Sequence, residues 1–227
     1  MSQHTTISST EAGQFPDPTQ WRLITAAEEL FAEHGFGGTS VRDITAEAGA
    51  NVAAVNYHFG SKHQLYQKLF EIRLAEMRRF RTHAVHRALD EAEPIGDVTA
   101  IVDTFARAFM QPLSDPQRGR IMLKLFMREL SDPHLPPGMF LQQMAEPMQE
   151  LMRDALQRTC PGLGEQAARM CFHSLVGQLV HLVQVWKMMV DVGQTDSDLQ
   201  SYLDTGLRHV VRFTVAGIKS CQEAGGS

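Results

Sequence analysis

Three cysteines, Cys160, Cys171 and Cys221, are too few and too widely spaced for a disulfide framework or a CxxC-type zinc site. They read as small buried side chains in a reducing compartment. No apolar run is long and clean enough to span a bilayer. The most apolar stretch, 175–190, is broken by Gln178, His181, Gln184 and Lys187. Residues 1–20 are polar, contain Pro16 and Pro18, and lack the basic-then-apolar order of a signal peptide. Together these absences predict a cytoplasmic protein with no membrane partner. Excess positive charge is missing too. The net charge is −5, and the first 87 residues carry nine Lys/Arg against nine Asp/Glu, so all of it falls on the remainder. Any polyanion must therefore be met by a few placed side chains, not by a broad basic field. P-loop, HExxH, glycine-fingerprint and Ser-His-Asp patterns are absent, so no enzyme, cofactor or metal site is expected.

What is present is helical periodicity almost throughout, without strand-like alternation. The spacing predicts an all-α chain of about nine helices: 19–34, 41–48, 52–59, 61–89, 97–113, 117–129, 138–158, 164–190 and 197–221. Pro94, Pro116, Pro133, Pro136, Pro137, Pro161 and several glycines fall in the breaks. The expected organisation is a tail over 1–18, a small domain over 19–63, a larger one over 64–221, and a second tail over 222–227.

Helices two and three span only about two turns each, so packing must hold them. Val41, Ile44 and Ala48, then Val55 and Phe59, supply apolar faces at helical spacing. Gly49-Ala50-Asn51 makes a tight connection, with Gly49 suited to a left-handed backbone. Two short helices crossing at such a turn, braced by a longer one, form a helix-turn-helix. The third helix presents Ala53, Ala54, Asn56, Tyr57 and His58. Small side chains let a backbone approach a groove floor, Asn56 can pair with a base edge, and Tyr57 and Lys62 suit phosphate oxygens. Arg42 and the hydroxyls of Thr39 and Ser40 lie where flanking DNA backbone would run.

The run Ala26-Ala27-Glu28-Glu29-Leu30-Phe31-Ala32-Glu33-His34-Gly35-Phe36, then Thr39-Ser40-Val41-Arg42-Asp43-Ile44, Ala48-Gly49, and Val55-Asn56-Tyr57-His58-Phe59-Gly60-Ser61-Lys62, resembles the N-terminal domain of TetR-family transcriptional regulators. The resemblance covers about residues 20–70, and its segment 51–62 is most similar to the CecR-like and PsrA-like branch. It implies a homodimer on a double-stranded DNA operator of two-fold symmetry, with a helical C-terminal domain that takes a small-molecule effector. It further implies base or near-base contacts from Arg42, Ala53, Ala54 and Asn56. Phosphate contacts are implied for Thr39, Ser40, Tyr57, His58 and Lys62.

Beyond about residue 75 the residues stand nearly alone. Along 164–190, Leu175, Leu179, Leu182 and Trp186 form one apolar seam; along 197–221, Leu203, Leu207, Val210 and Thr214 form another. Joined across two chains they would make a four-helix interface. His173, Gly177 and His181 form a polar-or-small stripe on the same helix. The two histidines lie about 12 Å apart along it, too far to share one metal ion, so they read as packed histidines or as pocket-lining groups. Phe105, Phe109, Met122 and Phe126 are candidate walls of an adaptable apolar effector pocket, with Arg118 and Arg120 as guides for an anionic head group. The leading expectation is a repressor released from a palindromic operator by an apolar or amphipathic effector. The alternatives are an architectural DNA-binding protein without an effector and a helical lipid-binding module.

Overall fold

The computed structural model describes residues 17–91, 97–114 and 116–225, with backbone alone at 113, 114, 116–118, 196, 197 and 225. Among these residues there are nine α-helices and no strand, as the periodicity predicts. They are α1 (Pro18–Gly38), α2 (Val41–Glu47), α3 (Ala53–Phe59), α4 (Lys62–Glu91), α5 (Val98–Met110), α6 (Pro116–Ser131), α7 (Glu146–Thr159), α8 (Glu165–Asp191) and α9 (Asp196–Gly225). The expected N-terminal tail lies outside the described residues except at Asp17 and Pro18. Residues 222–225, expected as a tail, continue α9.

Helix starts are set by side chains that satisfy otherwise unpaired amides. Asp17 accepts from Thr19 N at 2.8 Å and Gln20 N at 2.9 Å, and Pro18 fills the first position of α1. Ser40 and Asp43 make a reciprocal capping box at α2, with Asp43 N to Ser40 Oγ at 3.2 Å and Ser40 N to Asp43 Oδ2 at 2.9 Å. Ser61 accepts from Gln64 N at 3.1 Å before α4.

Two long helices of the sequence reading are interrupted by proline. α5 stops at Met110 and passes into a 3-10 turn, Gln111–Ser114, around Pro112. The stretch 138–158 divides into a π-helical turn, Leu141–Ala145, and α7. Pro147 has no N–H for the Gln143 carbonyl four residues back, and its ring would strike that carbonyl; the wider π turn relieves both conflicts.

The chain folds as two compact units. The first holds the described residues up to Glu71 together with Arg120–Pro136; the second holds Ile72–Gly119 and the described residues from Pro137 onward. The division thus falls inside α4, past the boundary at 63 read from sequence. Leu65, Tyr66, Leu69 and Phe70 are buried with the α1 face Leu23, Ile24, Ala27 and Phe31, and with Ile44 and Val55 of the short helices. Each such side chain contributes about 1.5–3 kcal/mol of burial, which is what holds two-turn helices. Phe31 meets Tyr66 edge-on at 4.9 Å, and Phe70 meets Phe126 at 5.1 Å.

In the second unit α8 and α9 form a close hairpin. A Cβ on Gly206 would fall 2.3 Å from a methyl of Leu182. The buried face of α8 is Ala168, Phe172, Leu175, Leu179, Leu182 and Trp186.

Candidate nucleic-acid interface

The turn between α2 and α3 is built as the sequence requires. Gly49 has φ 58°, in the region that disfavours a side chain. Ala50 N donates to Thr45 O at 2.8 Å, and Ala53 N donates to the Asn51 side chain at 2.8 Å. Ile44, Ala48 and Val55 face inward and are buried. The opposite side of α3 exposes Ala53 and Asn56, with Ala54 half-buried and Tyr57 84% exposed. Tyr57 rests edge-on against His58 at 4.8 Å between ring centres. Arg42 is exposed on the first turn of α2, and no hydrogen bond or ion pair to a described residue holds it. Arg42, Asn56 and Tyr57 are therefore polar groups on the domain surface with unspent hydrogen-bonding capacity.

Four of the residues expected at phosphates are engaged otherwise. Thr39 is 2% exposed, and its hydroxyl donates to Gly35 O at 2.8 Å and to Leu30 O at 3.1 Å. It ties the bent end of α1, where Gly35 has φ 73°, to the start of α2. Lys62 Nζ donates to Phe36 O at 2.8 Å and Thr39 O at 2.9 Å and lies 4.2 Å from the centre of the Phe36 ring. Its charge is spent fastening α4 to the same bend. His58 Nδ1 is 3.4 Å from Asp17 Oδ2, joining α3 to the cap of α1. Ser40 is exposed, but its Oγ is bonded to Asp43 Oδ2 at 2.6 Å. Those hydrogen bonds hold the Asp43 carboxyl below its ordinary pKa. Thr39, Lys62, His58 and Ser40 thus each make a positioning contact within this structure, to main-chain carbonyls or to a carboxylate.

Sequence reasoning missed the brace on the other side of α1. Arg128 of α6 donates from Nε to Ala32 O at 2.8 Å and from Nη2 to Glu33 O at 2.6 Å, capping the carbonyls that the bend at Gly35 leaves free. Its neighbour Glu129 accepts from Tyr66 Oη at 2.9 Å and Leu135 N at 2.9 Å. Burial and this carboxylate raise the Tyr66 pKa. A local Arg128–Glu129 pairing, the simplest reading of adjacent charges, is not what forms.

The C-terminal candidates separate. Phe105 and Phe109 belong to the second unit, Phe105 buried and in edge contact with Phe172 at 5.2 Å. Met122 and Phe126 belong to the first, where Phe126 packs on Phe70. Arg118 lies outside the described side chains, and Arg120 is exposed. The seam expected between two copies is spent inside one chain: Leu175, Leu179, Leu182, Trp186, Leu207, Val210 and Thr214 are buried and Leu203 half-buried. A hairpin of two amphipathic helices satisfies its own apolar faces first. His173, Gly177 and His181, expected to line a pocket, are exposed on the outer face of α8 instead. Met188, 65% exposed, lies on that face, and Phe213, 61% exposed, stands on the outside of α9.

Among the described residues no helix is long and apolar enough to cross a membrane, and no group of three or more His, Cys, Asp or Glu could hold a metal ion.

Comparison with known proteins agrees with this arrangement. The family model described as "Bacterial regulatory proteins, tetR family" matches residues 23–69, and that described as "Tetracyclin repressor-like, C-terminal domain" matches residues 103–217. The HTH-type transcriptional dual regulator CecR of Shigella flexneri is 39% identical over 89 residues, 38% of this chain and 39% of that protein. The HTH-type transcriptional repressor AcnR of Corynebacterium glutamicum is 34% identical over 61 residues, 27% of this chain and 32% of that protein. The chain therefore spans well under half the length of these curated relatives. Among solved structures, the fatty acid degradation regulator FadR from Bacillus halodurans superposes with a TM-score of 0.59 at 19% identity, over 87% of this chain and 97% of that one. NalD of Pseudomonas aeruginosa, the secondary repressor of a multidrug efflux pump, does so with 0.56 at 21% identity, over 85% and 97%. A two-turn α2–α3 hairpin held by α1 and α4, followed by a C-terminal helical region that matches its own family model, places this chain in the TetR family of bacterial regulatory proteins.

Proposed function

We propose that the chain is a homodimeric, sequence-specific DNA-binding repressor, released from a palindromic operator by a small apolar or amphipathic effector. The observation that carries the reading is the division of labour around α3. Thr39, Lys62 and His58 are consumed in holding the short helices, while Arg42, Asn56 and Tyr57 project from the surface. Arg42 and the Ala53–Asn56 face read the major groove, and the Tyr57 hydroxyl meets a phosphate.

The second copy docks on the outer faces of α8 and α9. Met188 and Phe213 supply apolar area there. Gly177 and Gly217, where an added Cβ would meet nothing in its own chain, allow close helix approach. Two recognition helices in such a dimer address half-sites about 34–36 Å apart on one face of the duplex. An effector that prefers a different separation lowers operator affinity by its differential binding to the two arrangements. The effector enters the apolar interior of the second unit, where Phe105, Met144, Met148 and Met152 are buried.

Selection of bound duplexes from a random pool should recover a two-fold symmetric sequence. The double variant Asn56→Ala, Tyr57→Phe should bind it more weakly with unchanged thermal stability; wild-type affinity at physiological salt would refute the recognition face. Gly177→Leu should yield a folded monomer by light scattering, and a dimer of unchanged mass would refute the proposed interface.

A further inference from the structure

The second unit contains a buried cation that no described residue neutralises. Arg81, on α4, is 8% exposed. Its guanidinium carbon lies 4.3 Å from the centre of the Phe109 ring, Nη1 reaches Met144 Sδ at 3.7 Å, and Nη2 reaches Phe109 O at 3.4 Å. The Nε–H has no partner among the described residues. Among the described residues no carboxylate forms an ion pair with it, whereas the still more buried Arg73 is bonded to Glu76 at 2.9 Å. Burial pushes the Arg81 pKa down to about 10, so the group remains cationic at neutral pH. A buried charge without a counter-ion is a cost that folding alone does not explain.

The geometry points to Arg81 as the anion-recognising group of the effector site, and to an effector that carries one carboxylate on an apolar body. This inference rests on the reading of the second unit as an effector domain. The Nε and Nη2 hydrogens of a guanidinium lie side by side and fit the two oxygens of a carboxylate. On Arg81 that edge carries only the long contact to Phe109 O. One carboxylate balances one guanidinium; a phosphate dianion would bring a second, unbalanced charge into the same interior.

The surroundings suit the rest of such a molecule. Phe109 and Met144 touch Arg81, Phe105, Met110, Met148 and Met152 are also buried in this unit, and unbranched methionines repack around a guest. The π-helical turn beside Arg81 is held from α4 by two arginines one turn apart, Arg78 Nη1 donating to Gln143 O at 2.8 Å and Arg81 to Met144. Phe140 and Leu141 at the start of that turn are half-exposed apolar side chains.

The test uses the full chain and three pairs of probes, octanoate, decanoate and 4-phenylbutyrate, each with its corresponding primary alcohol, measured by calorimetry. At least one acid should bind roughly tenfold to a hundredfold more tightly than its alcohol, the range for hydrogen bonds to a charged group. In Arg81→Met that preference should vanish while the alcohol binds as before, which shows an intact cavity. Arg81→Lys, which keeps the charge and loses the two-pronged edge, should show a reduced preference and serves if the methionine variant does not fold. Equal binding of acid and alcohol by the wild type, no binding of any acid, or a preference that survives both substitutions would overturn the assignment. DNA binding by Arg81→Met without any acid reports separately on the proposed function, so the two can fail independently.

Discussion

Replacing Lys62 with methionine separates fastening from DNA contact. Methionine keeps most of the apolar stem and removes the ammonium. Two charge-assisted hydrogen bonds are lost, to Phe36 O and Thr39 O, each worth about 1.5 kcal/mol net at the lower end of its range. The position over the Phe36 ring adds about 0.5 kcal/mol. Lys62 is half-buried, so water can reach some of the freed carbonyls, and the expected loss is about 2–3 kcal/mol. For a chain of this size that lowers the midpoint of thermal unfolding by about 5–10 °C. Urea unfolding followed by circular dichroism should show the loss as a lower midpoint at unchanged slope. Hydrogen exchange should quicken at residues 36–40, where α1 bends into α2. The dependence of DNA affinity on salt should keep its slope, because no phosphate contact is removed. If Lys62→Met unfolds like the wild type and the salt slope falls by about one, the lysine binds phosphate and the fastening role is refuted.

Thr39→Val preserves shape and removes the bonds to Leu30 O and Gly35 O, so stability should fall by about 1–2 kcal/mol with an unaltered DNA salt slope; a change confined to DNA affinity would contradict the burial of Thr39. Backbone hydrogen bonds from Gln20 hold the Asp17 carboxyl below its ordinary value, and those from Thr99 do the same for Asp97. Their folded pKa values are depressed, so their stabilisation is present above the ordinary aspartate range and is lost as pH falls through the folded values. Acid unfolding below about pH 4 should be shallower in Asp17→Asn and Asp97→Asn, as read by circular dichroism across pH. Burial, with Cys221 and Cys160 nearby, pushes the Cys171 thiol up to about 11. Iodoacetamide at pH 8 should therefore label exposed Cys221 well before Cys171, and mass spectrometry of the peptides gives the order.

Local chemistry made much of this protein legible before any coordinates. A glycine acts on its own backbone, so Gly49 marked the turn between the two short helices to the residue. The exposure of Asn56 and Tyr57 followed from helical spacing, since side chains of α3 turned away from buried Val55 must face outward. Proline was the least forgiving of the local signals: Pro112 and Pro147 interrupt helices that apolar periodicity alone draws as continuous.

Tertiary structure decided where each polar atom is spent and which apolar face meets which. A lysine after a tyrosine-containing helix reads as a phosphate ligand until the bend at Gly35 brings the Phe36 and Thr39 carbonyls within 3 Å of it. Arg128 lies 96 residues from the carbonyl of Ala32 that it caps, beyond any local rule. The α8 and α9 seams were correctly read as apolar, but periodicity cannot tell whether an apolar face is covered by its own chain or by another copy. Here the hairpin covers them, and the stripe His173, Gly177 and His181 is left outside. Sequence determined the helices and the face that α3 turns outward. Only packing in three dimensions, which sets the distances between residues far apart in the chain, showed that Thr39 and Lys62 hold that face in place and that Arg81 is buried with no counter-ion among the described residues.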